Sequence, residues 1–131
     1  MRQEIRTTCR EELVDVTTAV GRAVAESGVS KGIVVVSSPH TTAGILVNEN
    51  ADPDVATDLI AGLARIAPEH GGWRHAEGNS DAHLKTALVG TSVMLPIEDG
   101  RLVLGTWQAV YFAEFDGPRS RRVDVTVVPG L

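Results

Sequence analysis

The chain has 131 residues, a length that fits one domain and is enough to bury a core of its own. Hydrophobic residues make up 43% and charged residues 22%, the balance of a globular chain rather than a disordered one. The net charge of −5 argues against general nucleic-acid affinity, and no apolar run approaches the roughly 20 residues needed to span a bilayer, so neither nucleic acid nor membrane is an expected partner. A single cysteine, Cys9, cannot form an internal disulfide, and Met1 to Arg6 lacks the apolar core of a signal peptide, so a cytoplasmic location is expected.

In chain order, Gln3 to Thr8 has weak strand character. Thr17 is a candidate N-cap for a helix to about Ser27, with Val20, Ala23 and Val24 on one face and Gly28 as a left-handed stop. The β-branched run Gly32 to Ser37 reads as a buried strand, which Pro39 ends, and Ile45 to Val47 is a second short strand. Asp52-Pro53 starts a helix with Val55, Leu59, Leu63 and Ile66 at helical spacing, and Pro68 to Gly72 breaks the pattern. Asn79 or Ser80 caps a further helix, Asp81 to Val89. Val93 to Ile97 and Arg101 to Leu104 flank the hairpin turn Glu98-Asp99-Gly100, and Gln108 to Phe115 and Arg121 to Val128 flank another turn at Asp116-Gly117-Pro118. The expected fold is a single α+β domain over residues 1–131, with a largely antiparallel sheet or sandwich and a few helices.

Three of the four histidines fall in two polar clusters. If Ser80 caps its helix, His83 sits in the first turn, where unpaired backbone N–H groups and the helix dipole make an anion site; Asn79 and Ser80 border the same place. The plainer alternative is a helix-start histidine hydrogen-bonded to Asp81 or a nearby loop. His75 and Asp81 are of types that ligate zinc and similar ions, but their spacing to His83 matches no tight metal signature. His40 follows a strand end and is joined by the hydroxyls of Thr41 and Thr42; a locally bonded turn explains them equally. Glu49, in Asn48-Glu49-Asn50, is either a base or ligand or an ordinary residue of a loop before a helix. The Arg119 to Arg122 cluster either attracts a phosphate or forms a solvated turn, the commoner case.

Taken together, these segments resemble the YjbQ-like family, often labelled secondary thiamine-phosphate synthase. The resemblance runs from Asp15-Val16-Thr17 to Val128 and is carried by Ser38-Pro39-His40-Thr41-Thr42-Ala43, Asn48-Glu49-Asn50, Asp52-Pro53-Asp54-Val55, Glu77 to Lys85, Leu104 to Gln108 and Glu114 to Arg119. It implies a compact α+β homotrimer that joins hydroxymethylpyrimidine diphosphate to a thiazole phosphate and releases pyrophosphate. It further implies a divalent metal, zinc or magnesium, on His40, His75 and His83, surrounded by Asn48, Glu49, Asn79 and Asp81. In that mechanism Thr41, Asn79, Ser80 and Asp81 hold phosphate oxygens, supplemented by Arg119, and His83, His40, Glu49 and Asp81 are the catalytic set. Two alternatives stay open: a metal-assisted hydrolase of another phosphorylated metabolite, with Glu49 or Asp81 activating water, and a non-catalytic trimer that binds a metabolite or metal.

Overall fold

The computed structural model describes residues 1–131 and is a single α+β domain. In chain order it runs β1 (Arg2–Arg6), β2 (Glu12–Asp15), α1 (Thr17–Ser27), β3 (Gly32–Ser37), β4 (Ala43–Glu49), α2 (Pro53–Ile66), α3 (Ser80–Val89), β5 (Ser92–Glu98), β6 (Arg101–Leu102), β7 (Gln108–Glu114) and β8 (Ser120–Pro129). The strands form a five-stranded sheet, β1-β8-β3-β5-β6, and a three-stranded sheet, β2-β7-β4, with every pairing antiparallel. No helix is long and apolar enough to cross a membrane.

Side-chain alternation explains how the layers stack. Val34 and Val36 of β3, with Val123 and Val125 of β8, point into a core shared with Ile45, Val110 and Phe112 of the small sheet and Val20, Ala23 and Val24 of α1. The opposite parity of the small sheet faces α3: Ala82, Ala113 and Phe115 form a second cluster, against which Leu46 of β4 and Leu63 of α2 pack. β3 is therefore not a fully buried strand, as its apolar run implied. Its odd-numbered side chains lie on an open sheet face, where Ile33 is 37% and the neighbouring Met94 67% exposed.

Local chemistry sets most element ends. Gly28 takes φ 71° and stops α1. The Asp52 side chain accepts from Asp54 N at 2.9 Å, with Pro53 opening α2. Asp99 and Gly100, both at positive φ, turn β5 back onto β6. Two expectations give way, and one strand was not foreseen. Thr17 is not a cap: Val16 occupies that position, and Thr17 Oγ1 instead accepts from Val110 N at 2.9 Å, tying α1 to β7. The strand β2 forms from a segment with no sequence signal of its own. The turn at Asp116-Gly117-Pro118 is not a hairpin, because β7 pairs with β2 and β4 while β8 pairs with β1 and β3. The chain there passes from the small sheet to the large one, and the site lies at this crossing.

Candidate functional site

Three segments meet at the crossing: the loop from β3 to β4, the start of α3, and the connection from β7 to β8. Ser38 shapes the first, donating to Ala43 O at 2.7 Å and accepting from His40 N at 3.2 Å. Phe115 N donates to Thr42 O at 3.2 Å, and Arg122 N to the His40 ring at 3.0 Å, which stitch that loop to the connection. Between them lies a pocket of about 350 Å³ with no apolar side chain other than Pro39 in its wall.

Arg121 forms part of this wall although it is only 7% exposed. Its Nε donates to Glu114 Oε1 at 2.8 Å; Nη2 donates to Glu114 Oε2 and, at 2.8 Å, to the Thr42 hydroxyl. Thr7 Oγ1 donates to the same carboxylate at 2.7 Å, and so does Asp116 N at 3.1 Å. Burial works to raise the Glu114 pKa, but the Arg121 and Thr7 hydrogen bonds outweigh it and hold the carboxyl below its ordinary range. Arg121 Nη1 has no partner within the chain and is not sealed off, so its N–H groups are available to the pocket.

His40 packs edge-on to Phe112, ring centroids 6.1 Å apart. Burial, then the Arg121 charge, lowers its pKa and favours the neutral ring. Because Nε2 accepts from Arg122 N, the proton of that neutral ring resides on Nδ1, which makes no hydrogen bond within the chain. Thr41, Asn79, His83, Arg119, Asp116 and Glu77 complete the wall. Arg119 Nη2 donates to Asp116 Oδ2 at 2.9 Å, as does Asn79 Nδ2 at 2.9 Å. Asn79 thus stands at the N-cap position of α3 without capping it, since its amide is turned to Asp116.

His83 also borders a second, wider depression with a mainly apolar wall, together with His75, Ser80, Trp73, Leu84 and Ala87. The His75 and His83 rings stand edge to face, centroids 5.5 Å apart, and His75 Nε2 is 3.6 Å from Glu77 Oε2. Ser80 belongs to this depression rather than to the polar pocket.

Other expected site residues lie elsewhere. Asn48 and Glu49 are at the far end of β4, roughly 20 Å along the strand from Ala43 at about 3.3 Å per residue. There Asn48 Oδ1 accepts from Glu49 N, and the Glu49 carbonyl accepts from Tyr111 OH at 3.2 Å. Asp81 is wholly buried and fully engaged: Arg10 donates to both of its oxygens, at 3.0 and 3.2 Å, and Lys85 Nζ approaches Oδ2 at 2.9 Å. Burial opposes ionisation, yet these donors hold Asp81 below its ordinary pKa. It clamps α3 and has no oxygen left to bind phosphate or activate water.

The proposed metal centre does not fit these donors. No group of three or more His, Cys, Asp or Glu side chains is arranged to hold an ion. With its Nε2 accepting an amide, a neutral His40 has no lone pair left for zinc, since the other nitrogen carries the proton. A magnesium-like set built on Glu49 and Asp81 fails because one is remote and the other is consumed by cations.

Glu114, Asp116, Arg10 and Lys85 carry no site role in the sequence, and Arg121 enters only within the Arg119 to Arg122 cluster. A signal existed for two of them. Arg121 shares the parity of Val123 and Val125, and Glu114 that of Val110 and Phe112, which places opposite charges at inward positions of two strands.

The model of the family described as "UPF0047 protein YjbQ-like" matches residues 1–130. A UPF0047 protein of Methanocaldococcus jannaschii is 52% identical over 125 residues, 95% of this chain and 91% of that protein. A crystal structure of an uncharacterized conserved protein of the YjbQ/UPF0047 family from Clostridium acetobutylicum is 50% identical, covers 98% of this chain and 99% of that one, and superposes with a TM-score of 0.96. A YbjQ-like protein of unknown function from Sulfolobus solfataricus superposes equally well, TM-score 0.96, at 31% identity, covering 99% and 96%. These relatives correct the expectation of thiamine phosphate synthesis: none is described by that activity, and thiamine phosphate synthase has a different fold. What sequence and fold establish together is that the chain belongs to the YjbQ-like UPF0047 family.

Proposed function

We propose that this chain binds the phosphoryl group of a small metabolite in the polar pocket between the Pro39–Thr42 loop, the start of α3 and the β7–β8 connection. The observation that carries this reading is Arg121, whose Nε and Nη2 are fixed by Glu114 and whose Nη1 is left to the pocket. A guanidinium locked in place by a carboxylate has little rotational freedom left to lose when an anion arrives. The His40 Nδ1–H, the Thr41 hydroxyl and the half-exposed Arg119 add donors of the kind that hold phosphate oxygens. Formal charges in the wall nearly balance, Arg119 and Arg121 against Asp116 and Glu77. Recognition therefore comes from directed donors more than from a long-range positive field.

Binding is favoured over metal-assisted hydrolysis because neither carboxylate assigned to activate water is placed to do so: Glu49 is at the far end of β4, and Asp81 is saturated by Arg10 and Lys85. The test is calorimetric titration of inorganic phosphate into the wild type and into Arg119→Ala, both in metal-free buffer. Loss of one charge-assisted contact is expected to weaken phosphate about tenfold, with stability changed by no more than about 0.5 kcal/mol. A wild type that binds no phosphate, or an Arg119→Ala protein that binds it unchanged, defeats the reading.

A further inference from the structure

We infer that the ligand held by its phosphoryl group carries a bulky apolar group, which packs into the depression beside Trp73 and α3. The inference rests on the phosphate reading above and adds the class of the ligand's organic part. The depression has a volume of about 580 Å³, within the range of small-molecule sites. It shares His83 with the polar pocket, and no other hollow of the molecule shares a wall residue with that pocket.

The two walls differ in chemistry. Around the depression stand Trp73, Leu84 and Ala87, with His75, Ser80 and His83, and none of the six is a lysine, arginine or carboxylate. Trp73 is 39% and Leu84 37% exposed. One exposed apolar side chain is ordinary, but these line a single hollow that adjoins a polar one. The indole is also held in place. Its Nε1 donates to Pro68 O at 3.0 Å, and Gly71 lies so near that a Cβ there would come within 2.7 Å of Cε2 and Cζ2. The polar edge of Trp73 is thus spent on the chain, and what it offers a ligand is apolar surface.

A ligand spanning both hollows must change character as it passes His83. The phosphoryl end meets Arg121, His40, Thr41 and Arg119, whereas the other end meets Trp73, Leu84 and Ala87. A sugar or polyol phosphate would press hydroxyls against those apolar side chains, where they exchange water for no partner. An apolar group gains by leaving water there.

The experiment titrates four monoesters into the wild-type protein by calorimetry at about pH 8, where all are dianions. Benzyl and 2-phenylethyl phosphate, which differ in the arm between phosphorus and ring, are compared with methyl phosphate and glycerol 3-phosphate. At least one of the ring esters is expected to bind about tenfold or more tightly than both comparators. In Trp73→Ala that advantage should shrink to about threefold or less, while methyl phosphate binds as before. Should that variant not fold, the wild-type comparison still decides. Equal affinities for ring esters and comparators, or an advantage that Trp73→Ala leaves whole, overturn the inference and leave the phosphate pocket standing. In the first case, an oligomer that Leu84→Asp dissociates in light scattering would assign the depression to a second copy of the chain. Binding of none of the four overturns both readings.

Discussion

Two arginines in this chain, Arg10 and Arg121, each meet a fully buried carboxylate, yet they leave different things behind. Every nitrogen of Arg10 is engaged: Nη1 and Nη2 go to Asp81, Nη1 also to Glu11 at 3.2 Å, and Nε to Glu69 at 3.3 Å. Lys85, wholly buried, closes that cluster with contacts of 2.8 Å to Glu11 and 2.9 Å to Asp81. The result is a clamp that ties the segment after β1 to α3 and so positions Asn79 and His83. Arg121, by contrast, gives two of its nitrogens to Glu114 and keeps the third for the pocket. A buried ion pair is therefore not in itself a sign of function; what matters is whether a nitrogen is left with no partner at all.

The largest expected effects come from breaking each pair. Asp81→Ala leaves the buried Lys85 ammonium with Glu11 alone, and removal of one partner from a buried pair costs about 3–5 kcal/mol. Glu114→Gln uncovers the Arg121 charge and destabilises by a comparable amount, again about 3–5 kcal/mol. The variants should part company when phosphate is added: the thermal midpoint of Glu114→Gln should rise by more than that of the wild type, because the anion replaces the lost carboxylate charge. Asp81→Ala should gain no more than the wild type. Equal rescue of both would erase the distinction between clamp and receptor.

A smaller effect concerns acid. Asp81 and Glu114 both titrate below their ordinary values when folded. Their contribution is complete above the unfolded carboxylate range and is lost as pH falls through that range toward the folded values. Unfolding free energy measured against pH should therefore decline steeply below about pH 4 in the wild type and less steeply in Asp81→Asn. An unchanged slope in that variant would mean Asp81 contributes nothing to acid stability.

The smallest effect belongs to His40, whose pKa is lowered by burial and by Arg121. The unfolded chain takes up that proton first, so stability should decline as pH drops below about 6.5, the ordinary histidine value. His40→Asn should lose that part of the slope by the same measurement, and a retained slope would assign it to another histidine.

Much of this molecule was legible before any coordinates. The Asp52-Pro53 start of α2, the Gly28 stop and the Asp99-Gly100 turn each depend on neighbouring residues alone, and so they read correctly. His40, Thr41, Asn79, His83 and Arg119 were also marked out as polar clusters, and the fold brings all five to one pocket. What escaped was everything set by partners distant in sequence. Glu12–Asp15 becomes a strand only because β7 lies beside it, and the Asp116-Gly117-Pro118 turn does not reveal which sheet its second arm will join. Asn48 and Glu49 looked adjacent to the His40 loop in sequence, but an extended strand carries them away from it. The cluster Arg119 to Arg122 looked like a solvated turn because the carboxylate that buries Arg121 comes from another sheet.

The free face of Arg121 is expected to receive an anion. A crystal of the protein soaked in phosphate tests it most directly. Tetrahedral density is expected within hydrogen-bond distance of Arg121 Nη1, with His40 Nδ1 also in contact. An empty pocket, or phosphate bound only elsewhere on the chain, would contradict it.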